Sequence, residues 1–278
     1  MAPQNERVHD KRKDYLMEGK IEQGGNACVY AATRRIDGKP VAVKFIPNAN
    51  LAGFTTPPPG ILIPKEVSWL QRVAGIHGCI RMLDHFSLEK GHIIVMERPQ
   101  SHVDLQEYVR RKPKNTVPEG EARMLFQQAL LTLTELFHAG ILHNDVKANN
   151  MLLDLDTYQV KIIDFGCATA VKAEGYTCFQ SAEAYKPPEY ILKKSYNALP
   201  YTVWSLGITL FFLTNGYHPF QSNQMILEGK LHFKDGVSAD LKNLIESMLK
   251  INPSKRTDLP GIIFHPWMLQ SLEEHVTE

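Results

Sequence analysis

The chain has few cysteines, almost no net charge and no long apolar run, and each shortage closes off a class of proteins. Four cysteines in 278 residues, Cys28, Cys79, Cys167 and Cys178, give neither a Cys-x-x-Cys pair nor a zinc-ligand spacing. A disulfide scaffold is therefore not expected, and a reducing, intracellular compartment is. Lys and Arg number 31 against 30 Asp and Glu, and the basic residues are scattered, so neither a nucleic acid nor a membrane surface is an expected partner. The short clusters Lys11-Arg12-Lys13 and Arg110-Arg111-Lys112 read as solvated faces. The longest apolar stretch, LGITLFFLT at 206–214, falls far short of the ~20 residues of a bilayer span. The first 20 residues are charged and have no apolar leader core, and no lipidation signal stands at either end. The expectation is a monomer in the cytoplasm, with the nucleus also open to it.

What is present divides the chain in two. ACVYAATRR alternates like a strand, IDGK supplies an Asp-Gly turn, and PVAVKFI returns as its partner. After TTPPPG, the segment PKEVSWLQRVA sets Val67, Leu70 and Val73 at helical spacing. Strands near IRMLDHF and HIIVMER follow. Beyond about residue 100 the pattern becomes helical: EARMLFQQALLTLTELFHAG closes on Gly140, and YTVWSLGITLFFLTNG and DLKNLIESMLKI continue it. The fold class is α+β, with a small antiparallel sheet and one helix over 14–98, a hinge at 99–104, and a larger helical part over 105–270.

Two motifs carry chemistry, ILHNDVKANNMLLD and VKIIDFGCA. Moving a phosphoryl group calls for a carboxylate to accept the substrate hydroxyl proton, a cation beside the phosphate, and oxygen ligands for Mg²⁺. Asp145, Lys147, Asn150 and Asp164 supply these groups in that order. The arrangement resembles the catalytic loop and the Asp-Phe-Gly metal motif of protein kinases. Lys44 in VAVK then matches the lysine that holds the ATP phosphates, with Glu66 on the following helix as its partner.

The stretch ERPQSHVDL narrows the resemblance to the Pim family of serine/threonine kinases, which carries a proline where adenine usually meets a backbone N–H. The likeness continues through IPKEVSWLQRV, GILHNDVKANNMLLDL, YTCFQSAEAYKPPEYI, VWSLGITL and HPWM. It implies a bilobal kinase fold and two catalytic residues, Asp145 and Lys147, with Asn150 and Asp164 on Mg²⁺. It implies an ATP site of Glu22, Gly24, Gly25, Ala27, Val29, Ala42, Lys44, Glu66, Met96, Glu97, Pro99 and Leu152, with Pro99 leaving ATP one hinge hydrogen bond, to the Glu97 carbonyl. Asp104 and Glu107 would receive one basic side chain of a peptide substrate. His143 and Phe165, with Leu70, would join the apolar column between lobes, and Glu189 would pair with Arg256.

The chain departs from the pattern at four places. The phosphate loop IEQGGNACVY has Glu22 and Ala27 where two of three glycines are usual, which predicts weaker ATP binding. Asn144 replaces the arginine that grips an activation-loop phosphate, so activity should not depend on that phosphate. Ala182 replaces a threonine that touches the catalytic aspartate and lysine, and Thr202 an aspartate that buttresses the catalytic loop. The expected function is ATP- and Mg²⁺-dependent phosphorylation of Ser and Thr in proteins. The rival is a pseudokinase that keeps the fold and transfers nothing. Lys147, two residues after Asp145, favours serine and threonine over tyrosine.

Overall fold

The computed structural model describes residues 10–23, 27–56, 60 and 62–270. They gather into two compact units, one from residues up to 74 together with 80–100, the other from 75–79 together with 101 onward.

The first unit holds strands β1 (Tyr15–Gln23), β2 (Cys28–Arg34), β3 (Pro40–Pro47), β4 (Phe54–Thr55) and β5 (Ile63–Pro64), helix α1 (Lys65–Arg72), and strands β6 (Met82–Leu88) and β7 (Gly91–Glu97). Five strands make one antiparallel sheet in the order β1-β2-β3-β7-β6. The period of two in β3 sends Val41 and Val43 into a core with Tyr15, Ala32, Ile93 and Val95. Edge strand β1 is exposed from Leu16 to its end and slips register twice against β2, which blunts its free side. The Asp-Gly turn lies inside a longer loop: Arg34 N–H bonds the Lys39 carbonyl at 2.9 Å, Gly38 takes φ +69°, and Arg34 clamps the Asp37 carboxylate at 2.6 Å. Val67 and Leu70 of α1 and Val73 just beyond it are buried, as their spacing requires.

The second unit comprises β8 (His102–Asp104), α2 (Leu105–Arg111), α3 (Glu119–His138), β9 (Ile141–Leu142), β10 (Met151–Asp154), β11 (Val160–Ile162), β12 (Thr169–Ala170), α4 (Pro188–Lys193), α5 (Ala198–Asn215), α6 (Asn223–Glu228), α7 (Ala239–Met248), α8 (Leu259–Ile263) and α9 (Pro266–Leu269). Strands β11, β10 and β8 form one small sheet, β12 and β9 another. Helix α5 is the centre of the unit. It carries no charged residue, it is buried on every side, and it packs against α3 and α7. Its threonines Thr202, Thr209 and Thr214 turn their hydroxyls onto carbonyls one helical turn back, at 2.9, 2.9 and 3.0 Å. Trp204 stacks on Phe220 at 5.7 Å, and Trp267, Phe211 and Phe212 are buried as expected. Helix α3 ends on Gly140 at φ +71°, whose N–H bonds the Phe137 carbonyl at 3.0 Å.

Two boundaries differ from those read in the sequence. Residues 75–79 pack with the second unit because Gly78 lies so close to α3 that a Cβ there would meet Thr132 Oγ1 at 1.8 Å. Its carbonyl accepts from Ile162 N–H at 2.7 Å. Of the expected hinge at 99–104, the last three residues are β8, paired to β10. Among the described residues no helix is long and apolar enough to cross a membrane. All four cysteines are free thiols, with Cys79 buried and Cys178 exposed.

Candidate active site

In the first unit, residues directly opposite one another across antiparallel strands share a face. Val29 lies opposite Lys44 on β3, and Ala42 opposite Met96 on β7. The register therefore brings Val29, Ala42, Lys44 and Met96 to the sheet face away from the Val41–Val43 core. Glu22, opposite Val29, belongs to the same face near the end of β1, with its side chain exposed. Gly24 and Gly25 lie outside the described residues, and Ala27 follows them, half-buried. Lys44 Nζ meets Glu66 Oε1 at 2.6 Å, and both residues are buried, at 9% and 7% exposure. An ammonium taken out of water costs several kcal/mol, about what a close carboxylate offsets. The pair is thus a mutual requirement. At the end of β7, Glu97 N–H bonds the Arg81 carbonyl at 3.0 Å, while Arg98 turns back onto the Val41 carbonyl at 3.2 Å. Pro99 follows as a half-buried residue that has no N–H to give.

In the second unit, β9 leads into the segment His143–Asn144–Asp145. Asn144 adopts φ +65°, a left-handed conformation that asparagine tolerates better than most residues. Two buried phenols hold it there: Tyr196 donates to Asn144 Oδ1 at 2.8 Å and Tyr201 to the Asn144 carbonyl at 3.4 Å. Tyr196 also reaches the Cys178 carbonyl at 3.1 Å. Burial drives the His143 proton affinity below the usual range, so the ring is neutral. Its Nε2–H donates to the Ile163 carbonyl at 3.0 Å, leaving Nδ1 to accept from Asp145 N–H at 3.4 Å. The ring meets Phe165 edge to face at 5.0 Å.

Asp145 is held by three side-chain donors. Its Oδ2 accepts from Lys147 Nζ at 2.8 Å and from Asn150 Nδ2 at 2.8 Å. Its Oδ1 accepts from Ser181 Oγ at 2.6 Å. Asn150 bonds the Asp145 carbonyl as well, at 2.8 Å, so its amide nitrogen is committed and its oxygen points elsewhere. Asp164 stands beside this group through its neighbour: Ile163 N–H bonds the Asn150 carbonyl at 3.0 Å. Asp164 itself is at φ +62°, with its carboxylate accepting from Gly166 N–H at 3.3 Å. Leu152 pairs with Asp104 across β10 and β8. Asp104 caps α2, accepting from Glu107 N–H at 2.9 Å, and Glu107 is held by Arg111 at 3.1 Å and Arg110 at 3.8 Å.

At the two positions where the resemblance looked for a polar contact, other hydroxyls make one. Thr202 turns its hydroxyl to Ala198 and gives the segment 143–150 nothing, but Tyr196, Tyr201 and Tyr185 bond that segment instead, the last accepting from Ala148 N–H at 3.4 Å. Ala182 is exposed and has no hydroxyl, whereas its neighbour Ser181 has one and reaches Asp145. Glu189 and Arg256 form the expected pair as a buried two-pronged fork, at 2.8 and 2.6 Å.

Residues 15–268 match the protein kinase domain. The chain is similar to serine/threonine-protein kinase prk-2 of Caenorhabditis elegans, 37% identical over 263 residues that cover 93% of this chain and 59% of that protein. It is similar to serine/threonine-protein kinase pim-2 of Danio rerio, 36% identical over 268 residues, 93% of this chain and 86% of that one. Sperm motility kinase 2B of Mus musculus is 30% identical over 263 residues, with 52% of its length covered. The chain thus spans little more than half of the worm and mouse relatives.

Proposed function

The chain belongs to the protein kinase family and resembles its Pim members, and we propose that it transfers the γ-phosphoryl group of ATP to serine or threonine hydroxyls of proteins. The observation that carries this reading is the environment of Asp145. A carboxylate held by Lys147, Asn150 and Ser181 is oriented to take the acceptor proton, and the same Lys147 brings positive charge to where the phosphate would pass. Lys44, kept in place by Glu66, would bind the ATP phosphates.

The donor set fits a magnesium ion as kinases use it. Among the described residues no cluster of three or more His, Cys, Asp or Glu could hold a metal by itself, while Asn150 Oδ1 and the Asp164 carboxylate offer two oxygens. Mg²⁺ is ordinarily held by one or two protein oxygens plus water and substrate phosphates. Bound there, it would neutralise phosphate charge.

Independence from activation-loop phosphorylation is supported by the phenol anchors. Tyr196 ties Asn144 to the Cys178 carbonyl and stacks on Tyr176 at 5.3 Å. An uncharged aromatic cluster would thereby take the place that an arginine and a phosphate hold elsewhere. A weak basic preference in substrates is supported by the engagement of Asp104 as a helix cap and of Glu107 by two arginines. The nearby cavity lined by Gln106, Arg110, Ala184, Tyr217, His218 and Gln221, among others, has no carboxylate.

The test is incorporation of label from γ-labelled ATP into a protein or peptide acceptor by the wild-type chain and by Asp145→Asn. The reading expects transfer to Ser or Thr by the first and a loss on the order of 100-fold or more in the second. Equal incorporation, or none by the wild type, overturns it in favour of a binding module.

A further inference from the structure

A carboxylate offers about four lone-pair sites over its two oxygens. On Asp145, both sites of Oδ2 are filled, by Lys147 and Asn150. One site of Oδ1 is filled by the Ser181 hydroxyl. That leaves a single site on Oδ1, next to Ser181, as the only lone pair of this carboxylate not engaged by these donors. An acceptor hydroxyl has to be within about 2.6–3.2 Å of its base. The direction of that last lone pair therefore decides where a substrate can deliver its proton.

The terminal torsion of an aspartate is soft, and Lys147 and Asn150 both pull on the same oxygen, so they leave rotation about the Cβ–Cγ bond partly free. The third donor, on the other oxygen, removes that freedom. Ser181 is itself held from both sides. Phe179, two residues before it, packs on Tyr190 at 5.4 Å and on Tyr201 at 5.9 Å. Tyr185, four residues after it, is buried and bonded to Ala148 N–H. A serine fixed this way can transmit the rigidity of the aromatic cluster to the carboxylate.

We propose that Ser181 is a positioning residue for proton acceptance: its hydroxyl sets the Asp145 carboxylate so that the one open lone pair of Oδ1 faces the incoming hydroxyl. The inference rests on the kinase reading above. It places this task on residue 181, although Ala182 is the position at which the resemblance looked for it.

The experiment compares the full chain with Ser181→Ala and Ser181→Thr, measuring kcat and KM for ATP and for an acceptor peptide together with the melting temperature. Ser181→Ala should lower kcat by about 10- to 100-fold, the scale of a slight misplacement of reacting groups, with both KM values within about twofold and the melting temperature unchanged. Ser181→Thr, which keeps the hydroxyl, should retain most of kcat. Wild-type kcat in Ser181→Ala overturns the proposal, and so does a loss confined to the peptide KM, because Ser181 would then be a peptide contact and not an orienter. The two readings fail differently. An active wild type with an equally active Ser181→Ala sinks this inference alone, whereas a wild type indistinguishable from Asp145→Asn sinks the kinase reading and this one with it.

Discussion

Lys44–Glu66 in the first unit and Glu189–Arg256 in the second are both buried pairs with a 2.6 Å contact, yet they are built to different ends. Arg256 presents a planar fork to both oxygens of Glu189, donates to the Pro200 and Lys250 carbonyls at 2.9 and 2.8 Å, and lies over the Trp204 ring at 4.8 Å. Every direction of its charge is answered, which suits a fastening that never has to let go. Lys44 brings a compact charge on a flexible four-carbon stem, meeting one oxygen of Glu66. Such a charge can be shared with a phosphate without dismantling the pair. Equal burial thus conceals a lock in one unit and a movable contact in the other.

The largest effect expected from breaking this comparison is on folding. Arg256→Ala should cost about 3–5 kcal/mol, the range for leaving a buried partner unpaired, read from denaturant unfolding. The double change Glu189→Leu with Arg256→Met should not restore the loss, because the Pro200 and Lys250 carbonyls stay without their donor. Full recovery would show that the fork is an ordinary ion pair. At the other pair the outcome should invert. Lys44→Met should lower phosphoryl transfer by about 100-fold or more. Adding Glu66→Leu should bring stability back near that of the wild type while transfer stays lost, since removing both charges of a buried pair is often neutral.

A smaller effect sharpens the contrast inside the second unit. Tyr196→Phe deletes one hydroxyl that serves both Asn144 and the Cys178 carbonyl, and should cost about 1–3 kcal/mol. The same variant should lose activity, whereas phosphatase treatment of the wild type should leave its activity unchanged. Sensitivity to phosphatase with indifference to Tyr196→Phe would assign control to a phosphate after all.

Mildest is the response to acid. His85, His92, His143, His218 and His265 are all held below the usual histidine value of 6.5 by burial. Folded, each takes a proton less readily than in the unfolded chain, so the stability it contributes is complete above 6.5 and declines as the pH falls below that value. The melting temperature should therefore be lower near pH 5.5 than near pH 7.5. His143 adds a local reason, because a proton on Nδ1 would confront the Asp145 N–H that now donates to it. A melting temperature that rises on acidification would refute this.

The sequence made some of this legible and hid the rest for a physical reason. Asp145, Lys147 and Asn150 stand within six residues, and Asp164 opens a second short motif soon after, so spacing brings them forward. Lys44 and Glu66 could be paired because a strand and the next helix have simple periods, and Glu189 could be joined to Arg256 through the resemblance. The contacts of Ser181, Tyr196 and Tyr201 gave no such signal. They join positions 36, 52 and 57 residues apart, and a serine or tyrosine in a loop looks alike whether its hydroxyl meets water or a buried carboxylate. Substitution at 182 and 202 could be seen, but compensation from a neighbouring position or another helix could not. The packing of residues 75–79 was hidden likewise, since it is decided by the tight approach of Gly78 to Thr132 and by bonds from Ile162 and Lys161 to the Gly78 and His77 carbonyls.

Helix α5, with no charge and with its threonine hydroxyls folded onto its own carbonyls, has a consequence in time as well as in space. Its residues from Tyr201 to Asn215 are all buried, and α3 and α7 pack against it, so its middle amides are shielded from water. They can trade protons with solvent only when the second unit as a whole comes apart. The short β9–β12 pairing and the loops around Ser181 can open and close many times between two such events. The floor beneath the Asp145 loop therefore keeps the slowest clock in the unit, and the loops above it run on faster ones.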